Sequence, residues 1–462
     1  MTTVEPTETP HLKRALGTGG LTLFGLTYLA PVTVFTTYGI VSQITDNHLA
    51  AAYVVGLIAM LFTASSYGRM ARAYPIAGSA YSYTQQSFGG GIGFLTGWTL
   101  MLDYLFLPMI NFLLIGLYLN AEFPDVPAWV FALVALVLVW VLNVVGITLV
   151  NRVNMVIVTL SVLLVVLFVV FALVQLTTNA PADMPNIFTP LLPGDAGLSP
   201  ILAGAAVLAL SFLGFDAVST MAEESKNPAR DIPRGIMLTT VIGGAIFIVV
   251  SWVGALVFPS WQDFVSVDTA SAELVERVGG AVFGSFFIAV YVVGAFGSGL
   301  ASQVSVARIL FAMGRDGVLP KPLARLHPRF RTPVVAATLV SIVSLLSLVL
   351  TLDVAATMIS FGALAAFSMV NLSVIRHYVF PKGGLAERSV GLWLGYGLIP
   401  LVGFGLTVWL WTSLSGTTML IGAGWILLGV IILALVTKGF RRPAPQMDFS
   451  EREGILEAAE TA

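Results

Sequence analysis

The stretch Leu21–Val41 reads L-T-L-F-G-L-T-Y-L-A-P-V-T-V-F-T-T-Y-G-I-V. It is long enough to cross a hydrocarbon core of ~30 Å at ~1.5 Å per residue. Yet Ala30-Pro31-Val32-Thr33 stands at its middle, with Gly25 and Gly39 on either side. Proline removes an N–H and frees a carbonyl, and glycine tolerates unwound backbone. A second apolar stretch, 200–222, repeats the anomaly. It carries Gly204 and Gly214, with Ser211-Phe212-Leu213-Gly214-Phe215-Asp216 in its second half.

These two are the first and sixth of twelve apolar stretches: 21–41, 49–70, 92–119, 127–149, 153–178, 200–222, 236–258, 280–306, 334–352, 356–379, 393–414 and 417–438. They therefore head two successive sets of five. Paired interruptions at matching positions point to an inverted repeat, with a ligand site at the breaks, as in secondary transporters. An ordinary proline kink plus a packing glycine is the alternative reading.

The basic residues sort into alternate gaps between the stretches. With both termini cytoplasmic, 21 of the 22 Lys and Arg fall in cytoplasmic segments, Arg277 being the exception. That is the positive-inside pattern of a multi-pass protein of the cell (inner or plasma) membrane, whose bilayer is then its solvent. Apolar residues make up 57% of the chain and charged residues 10%, a surface that lipid can cover and water cannot. The organisation expected is a cytoplasmic tail over 1–17, a twelve-span all-α permease domain over 18–440 and a cytoplasmic tail over 441–462. Gly89-Gly90-Gly91 reads as a hinge before the third span. The polar first twenty residues do not resemble a cleavable signal.

The chain has no cysteine, and His11, His48, His327 and His377 lie outside the spans or at their ends. Thiolate chemistry and Cys metal sites are thereby excluded, an intramembrane His relay or His metal site is not expected, and no cofactor or metal is expected. No phosphate-loop motif occurs, so nothing suggests ATP hydrolysis, and no nucleic-acid partner is expected. No nucleophile–base–acid set is visible, so the chain does not read as an enzyme. A ligand-sensing membrane protein would need an output module, which the short tails do not show. The sequence carries no reading of oligomeric state.

Two carboxylates sit well inside spans. Asp103 is ~16 Å into the third, and Asp216 is ~9–10 Å from the cytoplasmic end of the sixth if that half is helical. A charge at the bilayer centre costs at least ~2.5–3.5 kcal/mol, so each needs a partner or a watery cavity. Thr99, Asp103, Leu107 and Asn111 recur every four residues and share a face; Phe212, Asp216, Thr220 and Glu223 are expected to do the same, as a polar line toward the cytoplasm. Asp103 could instead bond Tyr104 or a neighbouring hydroxyl, and Asp216 could satisfy unwound backbone. No basic residue lies at comparable depth, which leaves the counter-charge to a cationic ligand or a proton. Pro31 lacks the N–H that an α-carboxylate nest needs, and freed carbonyls favour a cation. The outer loops hold ten acids against Arg277, a vestibule that would concentrate cations.

Three longer stretches carry a family resemblance. They are Ser66-Tyr67-Gly68-Arg69 through Pro75–Tyr83, Ser211–Arg234, and Ala307–Pro333 with F-A-M-G-R-D-G-V-L-P and H-P-R-F-R-T-P. They resemble, in order, the loop between spans 2 and 3, the sixth span with its following loop, and the loop between spans 8 and 9 of the amino acid–polyamine–organocation superfamily. Within it, Gly25–Phe35, Leu102–Asn111 and Ser211–Val218 are most similar to bacterial putrescine importers. The resemblance implies a leucine-transporter-type fold of five plus five inverted helices, and proton-driven import of small amines. It also implies a substrate site of Ala30, Pro31, Thr33, Thr36, Asp103, Phe212, Gly214, Phe215 and Asp216. Asp103, Asp216 and Glu223 are the candidates for carrying the coupling proton, and Phe35, Tyr38, Phe212 and Phe215 for aromatic gates. Such importers tend to carry an acid where this chain has Thr36, so a monoamine, an amino alcohol or a neutral or aromatic amino acid stays open as substrate. Sodium is also open as the coupling ion: the fifth span has no Lys to replace it, and the eighth offers only Ser298, Ser302 and Ser305.

Overall fold

The computed structural model describes residues 16–74, 79–146, 151–194, 197–315, 319–380 and 390–444. Among them the chain is all helical, apart from one isolated bridge of Leu16 with Ser225. The helices are α1 (Thr18–Leu29), α2 (Tyr38–Ile44), α3 (Leu49–Ala73), α4 (Ala80–Phe88), α5 (Gly90–Glu122), α6 (Ala128–Val145) and α7 (Asn151–Thr178). There follow α8 (Leu198–Val207), α9 (Pro228–Val257), α10 (Ala270–Arg315), α11 (Val334–Leu348), α12 (Leu352–Tyr378), α13 (Val390–Thr412) and α14 (Gly416–Val436). Most of the tails, the Pro75–Gly78 part of the first family motif and Asp316-Gly317-Val318 lie outside the described residues.

Eleven of these segments are long and apolar enough to cross a membrane; the first comprises α1 and the turn after it, and the sixth runs on from α8 to Ala222. The remaining sequence stretch, 334–352, forms the shorter α11. Its last turn, Leu345–Leu348, tightens to a 3₁₀ helix. Eleven α-helical residues and four 3₁₀ residues span only about 24 Å. That is several Å short of the ~30 Å hydrocarbon core. The eighth stretch starts at a break: α10 has non-helical backbone at Gly280 (φ 77°), with a short helical piece from Ala270 before it.

Burial follows the hydropathy pattern imperfectly, and the departures show which helices form the centre. Windows in α5, the sixth segment and α12 are each 78% buried, whereas α13 and α14 are 17% buried and turn most of their side chains outward. The core helices pack in pairs, α3 on α9 and α5 on both α12 and α10. Small residues permit the closest approaches. A Cβ on Gly362 of α12 would stand 2.9 Å from the Thr99 carbonyl oxygen and 3.1 Å from the Asp103 nitrogen of α5.

The outermost helix is fastened to the centre by two indoles. Trp98 of α5 donates Nε1–H to the Trp425 carbonyl at 2.9 Å, and Trp425 of α14 donates to the Trp98 carbonyl at 2.8 Å. Their rings stack at 4.7 Å.

The two ends of the bundle differ in charge. One gathers Arg69, Arg72, Arg230, Arg376 and Arg441, together with Leu16 and Ala444, the first and last described residues. The other gathers Asp46, Glu122, Asp263 and Glu273. We refer to them as the basic end and the acidic end.

Candidate functional site

The predicted interruptions are present in both stretches. After Leu29 the helix stops at Ala30, whose φ of 49° lies in the left-handed region that a non-glycine residue rarely adopts. Pro31 then opens a 3₁₀ turn, Pro31–Phe35. Its missing N–H costs nothing at a helix start. Two carbonyls expected to be free are already used: the Leu29 oxygen accepts the Thr33 hydroxyl at 3.1 Å, and the Ala30 oxygen accepts the Thr33 N–H at 2.8 Å. Thr33 thus closes the break from within.

The sixth segment breaks where expected. α8 tightens to a 3₁₀ helix over Leu208–Phe212, unwinds over 213–216 and resumes as a 3₁₀ helix, Ala217–Glu223. Gly214 has φ 126°, and a Cβ there would stand 2.6 Å from the Leu29 nitrogen. The two breaks therefore touch, backbone to backbone, with Gly214 as the spacer. Asp216 Oδ1 accepts the Gly214 N–H at 3.1 Å, while its carbonyl accepts the Ser219 hydroxyl at 2.6 Å. Its carboxylate does satisfy unwound backbone, the simpler of its two sequence readings.

Among the described side chains of the expected polar line, Phe212, Asp216 and Thr220 do not share a face. That line assumed 3.6 residues per turn, and this segment has a turn followed by about 3 per turn, so residues four apart no longer align. Phe212 is buried against Tyr53 and Phe247, whereas Thr220 is exposed and bonds the Ala217 carbonyl. The side chain of Glu223 lies outside the described residues.

Asp103 presents the opposite case to Asp216. It is 6% exposed, and its Oδ1 has no hydrogen-bond partner. Its helical neighbours on the same face are occupied elsewhere: Thr99 bonds the Leu95 carbonyl, and Asn111 bonds the Leu107 carbonyl and Ser298. Asp103 and Asp216 lie within electrostatic reach of each other, and Tyr67 within reach of both. Around them, Tyr67 stands edge-on to Phe215 at 5.6 Å, to Phe367 at 5.8 Å and to Tyr83 at 6.0 Å. Two acids close to a cluster of electron-rich rings form a combination that attracts a cation. No group of three or more metal-ligating side chains occurs among the described residues.

Thr36 sits in a different layer, toward the acidic end. It is buried and shares a 2.7 Å hydrogen bond with the Tyr291 hydroxyl. Beside it Phe35 packs edge-on to Phe168 and Phe287, and Ser271 donates to the Phe35 carbonyl and bonds Tyr118. Tyr38 meets Phe264 in the same region. Of the predicted site residues, the structure gathers Asp103, Asp216 and Phe215; Gly214 joins the breaks, Phe212 packs against Tyr53 and Phe247, and Thr36 belongs to the aromatic layer. Tyr67, Phe367 and Gly362 were not anticipated. Tyr67 lies in the second apolar stretch, 49–70, and the structure carries α3 through it to Ala73; nothing in its motif marks it as facing the two acids.

With this geometry in place, known proteins supply the frame. The family profile Amino acid permease matches residues 20–423. The chain belongs to the amino acid permease family. It is 39% identical over 440 residues to the low-affinity putrescine importer PlaP of Escherichia coli K12, covering 95% of this chain and 97% of that one. It is 30% identical to the branched-chain amino acid permease BcaP of Bacillus subtilis, covering 92% and 94%. It is 27% identical to the methylthioribose transporter of the same organism, again covering 92% and 94%. The permease is thus a multi-pass membrane transporter for a small molecule, and not an enzyme.

Asp216 invites a direct test. Asp216→Asn keeps the acceptor for the Gly214 N–H and removes only the charge. The expected result is a melting temperature close to wild type, together with altered substrate affinity and altered pH dependence of uptake. Unchanged affinity and pH dependence would reduce Asp216 to a backbone cap.

Proposed function

We propose that this permease is a secondary active transporter that imports a small cationic amine, putrescine first, together with protons. The observation that carries the reading is the Asp103 carboxylate, buried in the core with an unpartnered oxygen and facing a second acid rather than a base. A substrate ammonium would supply the missing charge, and a proton would supply it on the return step. Asp103 and Asp216 are then the residues that alternate between the two. Tyr67 and Phe215 offer ring faces to the alkylammonium.

Alternating access fits the way the helices pack. Exchanging the first five spans with the next five maps the contacts onto themselves: α1 lies on α9 as α8 lies on α3, and α5 lies on α12 as α10 lies on α7. This supports a five-plus-five inverted repeat of twelve crossings, with the short α11 as the ninth. The clustering of Lys and Arg favours the basic end, with both chain termini, as cytoplasmic.

Uptake of labelled putrescine into proteoliposomes, competed by a panel of amines and amino acids, tests the substrate. Saturable uptake blocked by diamines is the expected outcome. An imposed pH gradient without sodium should drive accumulation. Accumulation only with sodium would overturn the proton assignment and leave the amine assignment standing.

One observation favours a second reading, a neutral or aromatic amino acid permease. Thr36 shares its hydrogen bond with Tyr291 where an acid would hold a second ammonium, so Thr36 itself brings no charge to that position. Competition by branched-chain or aromatic amino acids, with no effect of diamines, would establish it.

A further inference from the structure

The basic end holds arginines that the transport reading leaves unused. Arg69, in the last turns of α3, has Nη1 buried without a hydrogen-bond partner. Its guanidinium lies over the Tyr396 ring at 5.3 Å, a contact that satisfies its face and none of its N–H groups. Arg72, one turn further on, is within electrostatic reach of it, so two like charges face one another. Arg72 spends Nε–H on the Ala229 carbonyl at 3.1 Å. Among the described residues no carboxylate pairs with either arginine. Asp231, at the same end, already accepts from Thr18 and from the Asn227 N–H.

The surroundings are built rather than loose. Tyr378 of α12 donates to the Arg69 carbonyl at 3.2 Å and stacks on Tyr396 at 4.2 Å. Tyr74 bonds His377 at 3.0 Å, tying the end of α3 to the same helix. Tyr396 lies in a π-helical turn of α13, Trp393–Leu398, a form that often marks a functional position. On the outward flank Phe380, Trp393 and Leu394 are 46%, 42% and 51% exposed. Phe380 packs against Trp393, and Trp393 and Leu394 share a turn with Tyr396, the ring that Arg69 lies over.

Two forked cations with no counter-ion among the described residues ask for a dianion or a phosphate, because guanidinium binds such oxygens bidentately. Their place at the membrane boundary, beside an exposed apolar strip, selects a lipid over a soluble anion. We infer that Arg69 and Arg72 hold the phosphate headgroup of an anionic phospholipid, whose acyl chains lie along Phe380, Trp393 and Leu394. The annular lipid so held would brace α3, α12 and α13 against one another.

The test uses the full chain in phosphatidylcholine nanodiscs, with and without phosphatidylglycerol. The readouts are the melting temperature and the lipid retained in native mass spectrometry. Phosphatidylglycerol should stabilise the wild type and Arg329→Gln, a charge loss elsewhere at the same end. Arg69→Gln should melt like wild type in phosphatidylcholine, lose the shift and retain about tenfold less phosphatidylglycerol, the factor expected for one charge-assisted hydrogen bond. Arg69→Lys keeps the charge without the fork and should fall between them. Should Arg69→Gln fail to fold, Arg69→Lys and Arg72→Gln carry the test. A full shift in those variants would overturn the assignment. So would an equal shift from soluble glycerol phosphate, which would make the ligand a free anion.

Discussion

Asp103→Asn is expected to abolish concentrative uptake while leaving the fold intact. The substitution is isosteric, and the carboxylate oxygen it replaces has no partner in the structure whose loss could unfold the chain. Stability should therefore hold or rise, because a buried uncompensated charge is a cost to folding. Function should fall steeply. Removing one member of a buried ion pair costs about 3 kcal/mol or more, equivalent to at least about a hundredfold in apparent affinity. Binding of labelled substrate to detergent-solubilised protein, beside a melting curve, separates the two effects. Binding within a few fold of wild type would remove Asp103 from the substrate site.

Gly214→Ala is expected to have the opposite signature, a loss of fold before any loss of specificity. An L residue at φ 126° is strained, by about 1–3 kcal/mol. The added Cβ would also meet the Leu29 nitrogen at 2.6 Å and Cα at 2.9 Å, backbone atoms that cannot swing aside as a side-chain tip could. Both breaks would have to separate. A large drop in melting temperature and in monodisperse yield should follow. Gly405→Ala is the control, since a Cβ at Gly405 meets nothing within 4 Å. Similar behaviour of the two variants would show that the contact between the breaks is dispensable.

How far this architecture could be read in the sequence depends on the range of the cause. Pro31 and Gly214 act on their own backbone, so the interruptions at Ala30 and at 213–216 were legible from residue chemistry alone. Hydropathy likewise placed eleven of the twelve stretches on helices long enough to span a membrane. What happens beyond a break was less legible. The i, i+4 reading of Asp216 and Thr220 presumed an α-helix where the chain adopts a 3₁₀ one, and hydropathy does not distinguish them. Contacts between distant elements were invisible. Nothing local in Gly362 reveals that it admits the backbone of Asp103, and nothing local in Thr36 reveals Tyr291, 255 residues away. Tyr67 is the same case: the stretch 49–70 places it on a helix, but its approach to Phe215 and Phe367 depends on elements about 150 and 300 residues away.

The paired indoles of Trp98 and Trp425 give the protein an optical signature of its own. Two transition dipoles stacked at 4.7 Å couple, and coupled dipoles split their circular-dichroism band into a couplet that isolated tryptophans lack. Trp98 lies on the helix that carries Asp103, and Trp425 on the outermost helix, so the couplet registers the separation of the centre from the rim. A couplet that survives addition of substrate would mean that α5 and α14 travel as one body through the transport cycle. One that vanishes would mean that the helix bearing Asp103 slides past a stationary rim, a distinction available without any attached label.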